Sequence, residues 1–294
     1  MNILVTGAQG QLGYDLCRTL REEGHTTVGV DRSDFDITDR TATERFLNAS
    51  RPDAVIHCAA FTDVDGAEQS PLLCRRVNLD GTAYLAKAAQ ACKARMLYLS
   101  TDYVFAGEGS KFYTTQDRPH PLSVYGETKY QGEQATLSLC SRAFVVRTSW
   151  VFGEHGKNFV STMLTLARAR REIPVVSDQI GSPTYTRDLS RLIAQMIQTD
   201  RYGIYHATNE GICSRAEFAQ EILRQAESDA EIRPIRTSDY PSAARRPLNS
   251  RMSKQSLDEA GLVRLPHWKD ALARYLSESG LLPKKALLGK RGEG

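Results

Sequence analysis

The 294 residues contain no Cys-x-x-Cys pair, no His-Glu-x-x-His and no apolar run of membrane length. Cys17, Cys58, Cys74, Cys92, Cys140 and Cys213 are scattered and lie mostly in apolar segments. They read as free core thiols, which excludes a disulfide frame, a zinc site or any other metal centre built on cysteine. Met1 leads straight into an apolar strand rather than a basic stretch and a long apolar core, so neither an export signal nor a membrane span is expected. A cytoplasmic location follows. Charge of one sign is also scarce: the formal net charge is +3. Residues 281–294 account for that excess through Lys284, Lys285, Lys290 and Arg291 against Glu293, and they read as a flexible tail. The balanced remainder argues against a nucleic-acid or anionic-membrane surface. Internal repeats are absent too. What is present is ordinary for a globular chain, 41% hydrophobic and 25% charged, with length for one large or two modest domains.

The first forty residues carry a pattern. Asn2–Thr6 is a short apolar run, Gly7, Gly10 and Gly13 follow at G-x-x-G-x-x-G spacing, and Leu12, Leu16 and Leu20 recur at helical intervals. Strand, glycine turn and helix together form the setting in which small residues let the backbone approach a dinucleotide pyrophosphate. The next strand, Thr26–Val30, ends at Asp31, eighteen residues beyond Gly13, near the expected place for an acid that bonds the adenosine ribose. Asp31 disfavours the extra phosphate of NADP and Arg32 beside it attracts that phosphate, so the choice between NADH and NADPH stays open. Asp36–Asp39 introduces a helix through Leu47. A third strand, Asp53–His57, runs into Ala59, Ala60 and Phe61, where small residues suit close approach of a cofactor. A long helix is expected over 72–92, a fourth strand over Arg95–Leu99, a polar loop over 106–121, a helix over Val124–Leu139 and a fifth strand over Ala143–Arg147.

This alternation predicts an α/β fold, a Rossmann-type doubly wound parallel sheet whose ligands sit beyond the strands' carboxyl ends. Past Trp150 the rhythm loosens. Helices are expected over Asn158–Arg170, Thr186–Thr199 and Ser214–Glu227, and extended pieces over Ile173–Val176 and Gly203–His206. Residues 1–148 with part of about 181–205 therefore read as a dinucleotide-binding domain, and about 149–180 with 206–280 as a smaller α+β substrate-binding domain.

Thr101, at the end of the fourth strand, and Tyr125 and Lys129 carry the chemistry. Tyr125 and Lys129 are four residues apart, on one face of a helix. An ammonium about 4 Å from a phenol favours the phenolate by about 4 kcal/mol at an effective dielectric of about 20. That shift brings a phenol with an ordinary pKa of about 10 near neutrality, where it can donate and accept protons. The Thr101 hydroxyl could share the same substrate oxygen.

These stretches resemble the extended short-chain dehydrogenase/reductase superfamily and, within it, the dTDP-4-dehydrorhamnose reductases. The matching segments are Gly7–Gly13, Ala59–Asp65, Ser100–Phe105, Tyr125–Lys129, Arg147–Gly153, Asn158–Val160, Asp178–Thr184 and Arg246-Pro247. The likeness implies NADPH- or NADH-dependent reduction of the C4 ketone of dTDP-4-dehydro-L-rhamnose, giving dTDP-L-rhamnose for polysaccharide biosynthesis. It implies Tyr125 as proton donor, Lys129 as holder of the nicotinamide ribose, and Thr101 as the group adjusting the shared hydrogen bond. Gly10, Gln11, Leu12, Asp31, Asp36, Ile37, Ala59, Ala60 and Phe61 would touch the cofactor, and Thr101, Asp102 and Trp150 the sugar nucleotide. Arg245 and Arg246 offer forks for a diphosphate.

Some relatives dimerise around Mg²⁺ held by acids of the first helix and of the segment after the Asp178–Thr184 motif. Asp15 keeps the first acid, but Arg187 precedes Asp188 where a second carboxylate would stand, and a cation repels the metal. The chain is expected to be a monomer or homodimer with a small-molecule substrate. Two other readings stand beside the reductase. One is an epimerase or dehydratase that recycles a bound cofactor; the other is a non-catalytic dinucleotide-binding subunit, similar to the beta subunit of methionine adenosyltransferase.

Overall fold

The computed structural model describes residues 1–281. Its centre is a six-stranded sheet in which every neighbouring pair is parallel. Five strands come from the first half: β1 (Asn2–Thr6), β2 (Thr26–Val30), β3 (Ala54–His57), β4 (Arg95–Thr101) and β5 (Ala143–Thr148). The sixth is Gly203–His206, which pairs with β5. In space the order runs β2, β1, β3, β4, β5, Gly203–His206. The chain therefore winds one way from β1 to β2 and the other way from β3 onward. The switch lies between β1 and β3, the place where such sheets bind ligands.

The inner strands are largely apolar because both faces are covered, whereas β2 at the edge is partly exposed. On one face, α1 (Gln11–Glu22) and the helix Thr186–Met196 pack together, with Leu12, Leu16, Leu20, Leu189, Leu192 and Ile193 joining Ile3, Val5 and Ile56 in one core. On the other face Leu47, Leu85, Ala86 and Ala89 meet Leu4, Val55 and Met96. A separate apolar cluster gathers Phe152, Tyr185, Phe218, Trp268 and Tyr275 from the second half. It is bordered by a parallel strand pair, Glu172–Val176 with Glu231–Ile235.

The helix expected over 72–92 is interrupted. Pro71–Arg75 and Thr82–Ala91 are α-helical, but Arg76–Gly81 between them is a π-helical turn, and a further helix, Val64–Gln69, precedes them. The reason for the π turn is Asn78. It is fully buried, accepts from Phe61 N–H at 2.8 Å and donates to the Phe61 carbonyl at 3.2 Å. One widened turn thus aims an amide at the loop that follows β3, a use of π turns that recurs at functional sites. The strand Glu231–Ile235 and the helix Trp268–Glu278 also lie outside the sequence expectations. The expected flexible tail, apart from Leu281, falls outside the described residues. Among the described residues no helix is long and apolar enough to cross a membrane.

Candidate active site

A cavity of about 1050 Å³ opens over the carboxyl ends of β1, β3 and β4. Its floor is the turn after β1. Gly7 has φ +70°, and a Cβ on Gly13 would overlap the Gly7 carbonyl, so only glycines allow the chain to fold back this tightly. Helix α1 starts at Gln11 with no side chain capping it. Its first backbone N–H groups are left to an anion. At the end of β2, Asp31 accepts from Gln9 N–H at 2.9 Å. Asp36 takes the Thr38 N–H at 2.9 Å, which holds its carboxyl below the usual range, and Arg32 lies 3.7 Å from it. Arg32 is otherwise in solvent, its side chain 87% exposed.

The opposite wall carries the reactive groups. Ser123 caps the helix Val124–Leu139 by accepting from Gly126 N–H at 3.1 Å. Tyr125 sits in the first turn, edge-on to Tyr103 with ring centroids 5.4 Å apart. Thr101 ends β4; its hydroxyl donates to Asp102 Oδ1 at 3.0 Å and accepts from Tyr103 N–H at 3.2 Å. Asp102 is itself buried, with Ser250 donating to its other oxygen and burial raising its carboxyl pKa. Both carboxylate oxygens are therefore occupied, and its side chain positions Thr101.

The expectation that Lys129 lowers the Tyr125 pKa does not hold here. Burial pushes the phenol upward, the neighbouring Asp102 and Tyr103 add to the rise, and only the Thr101 hydroxyl pulls it down. The Lys129 ammonium is aimed elsewhere: it donates to the Leu99 carbonyl at 2.6 Å and stands 4.1 Å from the centre of the Tyr98 ring. Burial brings Lys129 itself down to about 7, opposed by the carboxylate of Glu133. Desolvation outweighs the single ion–phenol attraction from which the expectation was built. The outcome suits a reductase all the same, since a phenol that stays protonated at neutral pH has its proton ready to give.

Glu133 follows Lys129 on the same helix face. It forms a bidentate pair with Arg147 at 2.9 and 2.7 Å, both side chains 1% exposed, and takes a third bond from Ser100. This pair ties the reactive helix to β4 and β5.

Trp150 has φ +50° and backs onto Gly181, where a Cβ would stand 3.0 Å from the indole. Over the ring lies the Arg215 guanidinium, 3.8 Å from the ring centre. Arg246 reaches the cavity from the loop after Pro241, with Nη2 donating to Asp65 at 2.6 Å and Nη1 to the Tyr103 hydroxyl at 3.2 Å. Every site residue inferred from the sequence, glycine turn and Arg246 included, lines this one cavity; Arg245 does not. Arg215, Tyr103, Asn78, Glu133 and Asp65 were missed as site-forming residues. Tyr103 and Asp65 lay inside matching segments without a role, and Glu133 left a signal in its four-residue step from Lys129.

The residues at which the resemblance suggested Mg²⁺ do not fit a divalent cation. Asp15 is buried and accepts the Thr186 hydroxyl, while the Arg187 guanidinium stands 3.7 Å from Glu22 and 3.9 Å from Glu278. Among the described residues no group of three or more acids, histidines or cysteines could hold a metal.

Comparison with known proteins agrees over nearly the whole chain. The sequence model of the family described as RmlD substrate binding domain matches residues 1–280. A spore coat polysaccharide biosynthesis protein, SpsK, of Bacillus subtilis is 39% identical over 94% of this chain and 97% of its own length. A dTDP-4-dehydrorhamnose reductase of Aggregatibacter actinomycetemcomitans is 39% identical over 92% of this chain and 96% of its own. The crystal structure of dTDP-4-dehydrorhamnose reductase from Bacillus anthracis in complex with NADP superposes with a TM-score of 0.92 at 40% identity, covering 94% and 99% of the two chains.

Proposed function

Since the chain belongs to the RmlD substrate-binding-domain family, we infer that it reduces the C4 ketone of dTDP-4-dehydro-L-rhamnose to dTDP-L-rhamnose at the expense of NADPH or NADH. The single observation that carries this reading is the meeting of two things in one cavity. A glycine turn and an uncapped helix start suited to a dinucleotide face the Thr101–Tyr125 pair suited to protonating an alkoxide.

The dinucleotide fits the residues present: Gly7, Gly10, Gln11, Leu12 and Gly13 meet its pyrophosphate, and Asp31, Arg32, Asp36 and Ile37 surround its adenosine end. Ala59, Ala60 and Phe61 line its middle. When bound, the reduced nicotinamide supplies the hydride. Tyr125 then gives its proton to the oxygen forming at C4, and Thr101, its own proton held by Asp102, accepts from the hydroxyl so formed. A phenol kept protonated by burial needs no general base for this step. Lys129, on the same helix face, would hold the nicotinamide ribose. Asp102, Trp150 and Arg246 form the substrate side. We place the enzyme in the cytoplasm, as a monomer or homodimer.

Stoichiometric loss of absorbance at 340 nm with the keto-sugar tests the reading. An epimerase or dehydratase would turn over sugar without net loss, and a binding subunit would do neither.

A further inference from the structure

Two guanidiniums reach the cavity, and they differ in what they already hold. Arg246 is engaged at all three nitrogens, with Nη2 on Asp65, Nη1 on the Tyr103 hydroxyl and Nε on Ser242 Oγ at 3.2 Å. Asp65 also accepts from Ser242 Oγ and from Ala244 N–H, each at 3.0 Å. This cluster fastens the loop 242–246 to the helix Val64–Gln69. Arg215 is different. It opens the helix Arg215–Gln225, lies over Trp150 and 5.3 Å from the Phe159 ring centre, and lines the cavity. Among the described residues its side chain has neither a hydrogen bond nor an ion pair; the charges around it act only at a distance.

A guanidinium carries five N–H donors and cannot shed its charge at neutral pH. Arg215 is half-buried, and its donors are offered to the cavity rather than to a protein partner. The neighbouring Asp102 attracts it only from a distance, its oxygens accepting from Thr101 and Ser250. Arg246 adds repulsion, and burial lowers Arg215 to about 10, as expected for a cation short of partners. The Trp150 and Phe159 rings give it cation–π support but no hydrogen bond. Trp150 in turn is wedged against Gly181, and the guanidinium lies over it in the cavity wall. A group bearing several acceptor oxygens and negative charge would take these free donors, and a diphosphate is such a group.

We propose that Arg215, held over Trp150, receives the diphosphate of the sugar nucleotide, and that Arg246 chiefly anchors the loop that closes the same side of the cavity. This rests on the sugar-nucleotide reading above and assigns the residue that recognises the substrate's charge. It moves the anion contact from the arginine suggested by the sequence motif to one that no motif indicates.

The test compares the full-length wild-type chain with Arg215→Gln, Arg215→Lys and Arg246→Gln. The affinity for dTDP is measured by calorimetry, cofactor affinity separately, and the melting temperature for each variant. Losing hydrogen bonds to a charged group should weaken dTDP binding by about tenfold to a hundredfold in Arg215→Gln. Cofactor affinity should stay at the wild-type value and the melting temperature should hold or rise, because an unpaired cation has been removed. Arg215→Lys should recover part of the affinity, since it restores charge but not the fork. Arg246→Gln should lower the melting temperature and weaken dTDP less. Wild-type dTDP affinity in Arg215→Gln would overturn the proposal. So would a loss accompanied by a lower melting temperature and lost cofactor binding, which would make Arg215 a prop for Trp150. If the wild type ignores dTDP but binds another nucleoside diphosphate through Arg215, the dTDP reading falls and the proposal stands. No binding of any nucleoside diphosphate overturns both.

Discussion

Lys129 Nζ donates to the carbonyl of Leu99 at 2.6 Å, so the helix that carries Tyr125 is pinned to β4 by the ammonium itself. The charge strengthens that bond. With burial bringing Lys129 down to about 7, the protonated form prevails below that pH and is lost as the pH rises through it. The kcat/KM for reduction should therefore fall on the alkaline side with an apparent pKa near that of Lys129, while the phenol of Tyr125 stays protonated throughout. In Lys129→Met the residual rate should be low and show no such limb, and cofactor affinity should drop. A pH profile of both proteins checks this.

Tyr125→Phe removes one hydroxyl and keeps the ring against Tyr103. It should fold and bind cofactor as the wild type does, yet lose about a hundredfold to ten-thousandfold in turnover, the usual contribution of a positioned acid. Steady-state rates and cofactor titration separate the two effects.

Glu133→Gln should be among the more destabilising changes. It leaves Arg147 buried and without its carboxylate, which typically costs about 3–5 kcal/mol. Replacing the pair together, Glu133→Leu with Arg147→Met, should cost much less, because no charge is stranded. Denaturant unfolding of the single and double variants gives the comparison.

Much of the sheet was legible because strands covered on both faces must be apolar throughout. Thr26–Val30 and Gly203–His206 match their expected limits, as does the helix Val124–Leu139, whose Ser123 cap is visible in the sequence. The π turn at Arg76–Gly81 was not legible, since its residues suit an α-helix and only the pull of Phe61 on Asn78 widens it. Glu231–Ile235 was obscured by Pro234. The helix Trp268–Glu278 did carry a signal, with Trp268, Ala271, Leu272, Tyr275 and Leu276 at helical spacing. At the site, the residue types and their convergence could be read, but not their electrostatics. Burial set the pKa of Tyr125 and of Lys129, and burial depends on segments far apart in the chain. Arg215 was invisible for the same reason: at a helix start it reads as a solvated charge until Trp150 is found beneath it.

Gly13→Ala should abolish cofactor binding while leaving much of the sheet intact. Its methyl group would collide with the Gly7 carbonyl and force the turn under the pyrophosphate to open. Fluorescence titration with NADPH, beside a melting curve, distinguishes a lost site from a lost fold.

Magnesium should have no effect on assembly. With Arg187 set between Glu22 and Glu278, adding Mg²⁺ or a chelator should leave the sedimentation profile unchanged.

The most direct measurement is the absorbance at 340 nm when a known amount of dTDP-4-dehydro-L-rhamnose is added to the purified chain with excess NADPH. One cofactor oxidised per keto-sugar consumed, with dTDP-L-rhamnose formed, is the expected result. Sugar conversion without net cofactor oxidation, or no conversion with either NADPH or NADH, would contradict it.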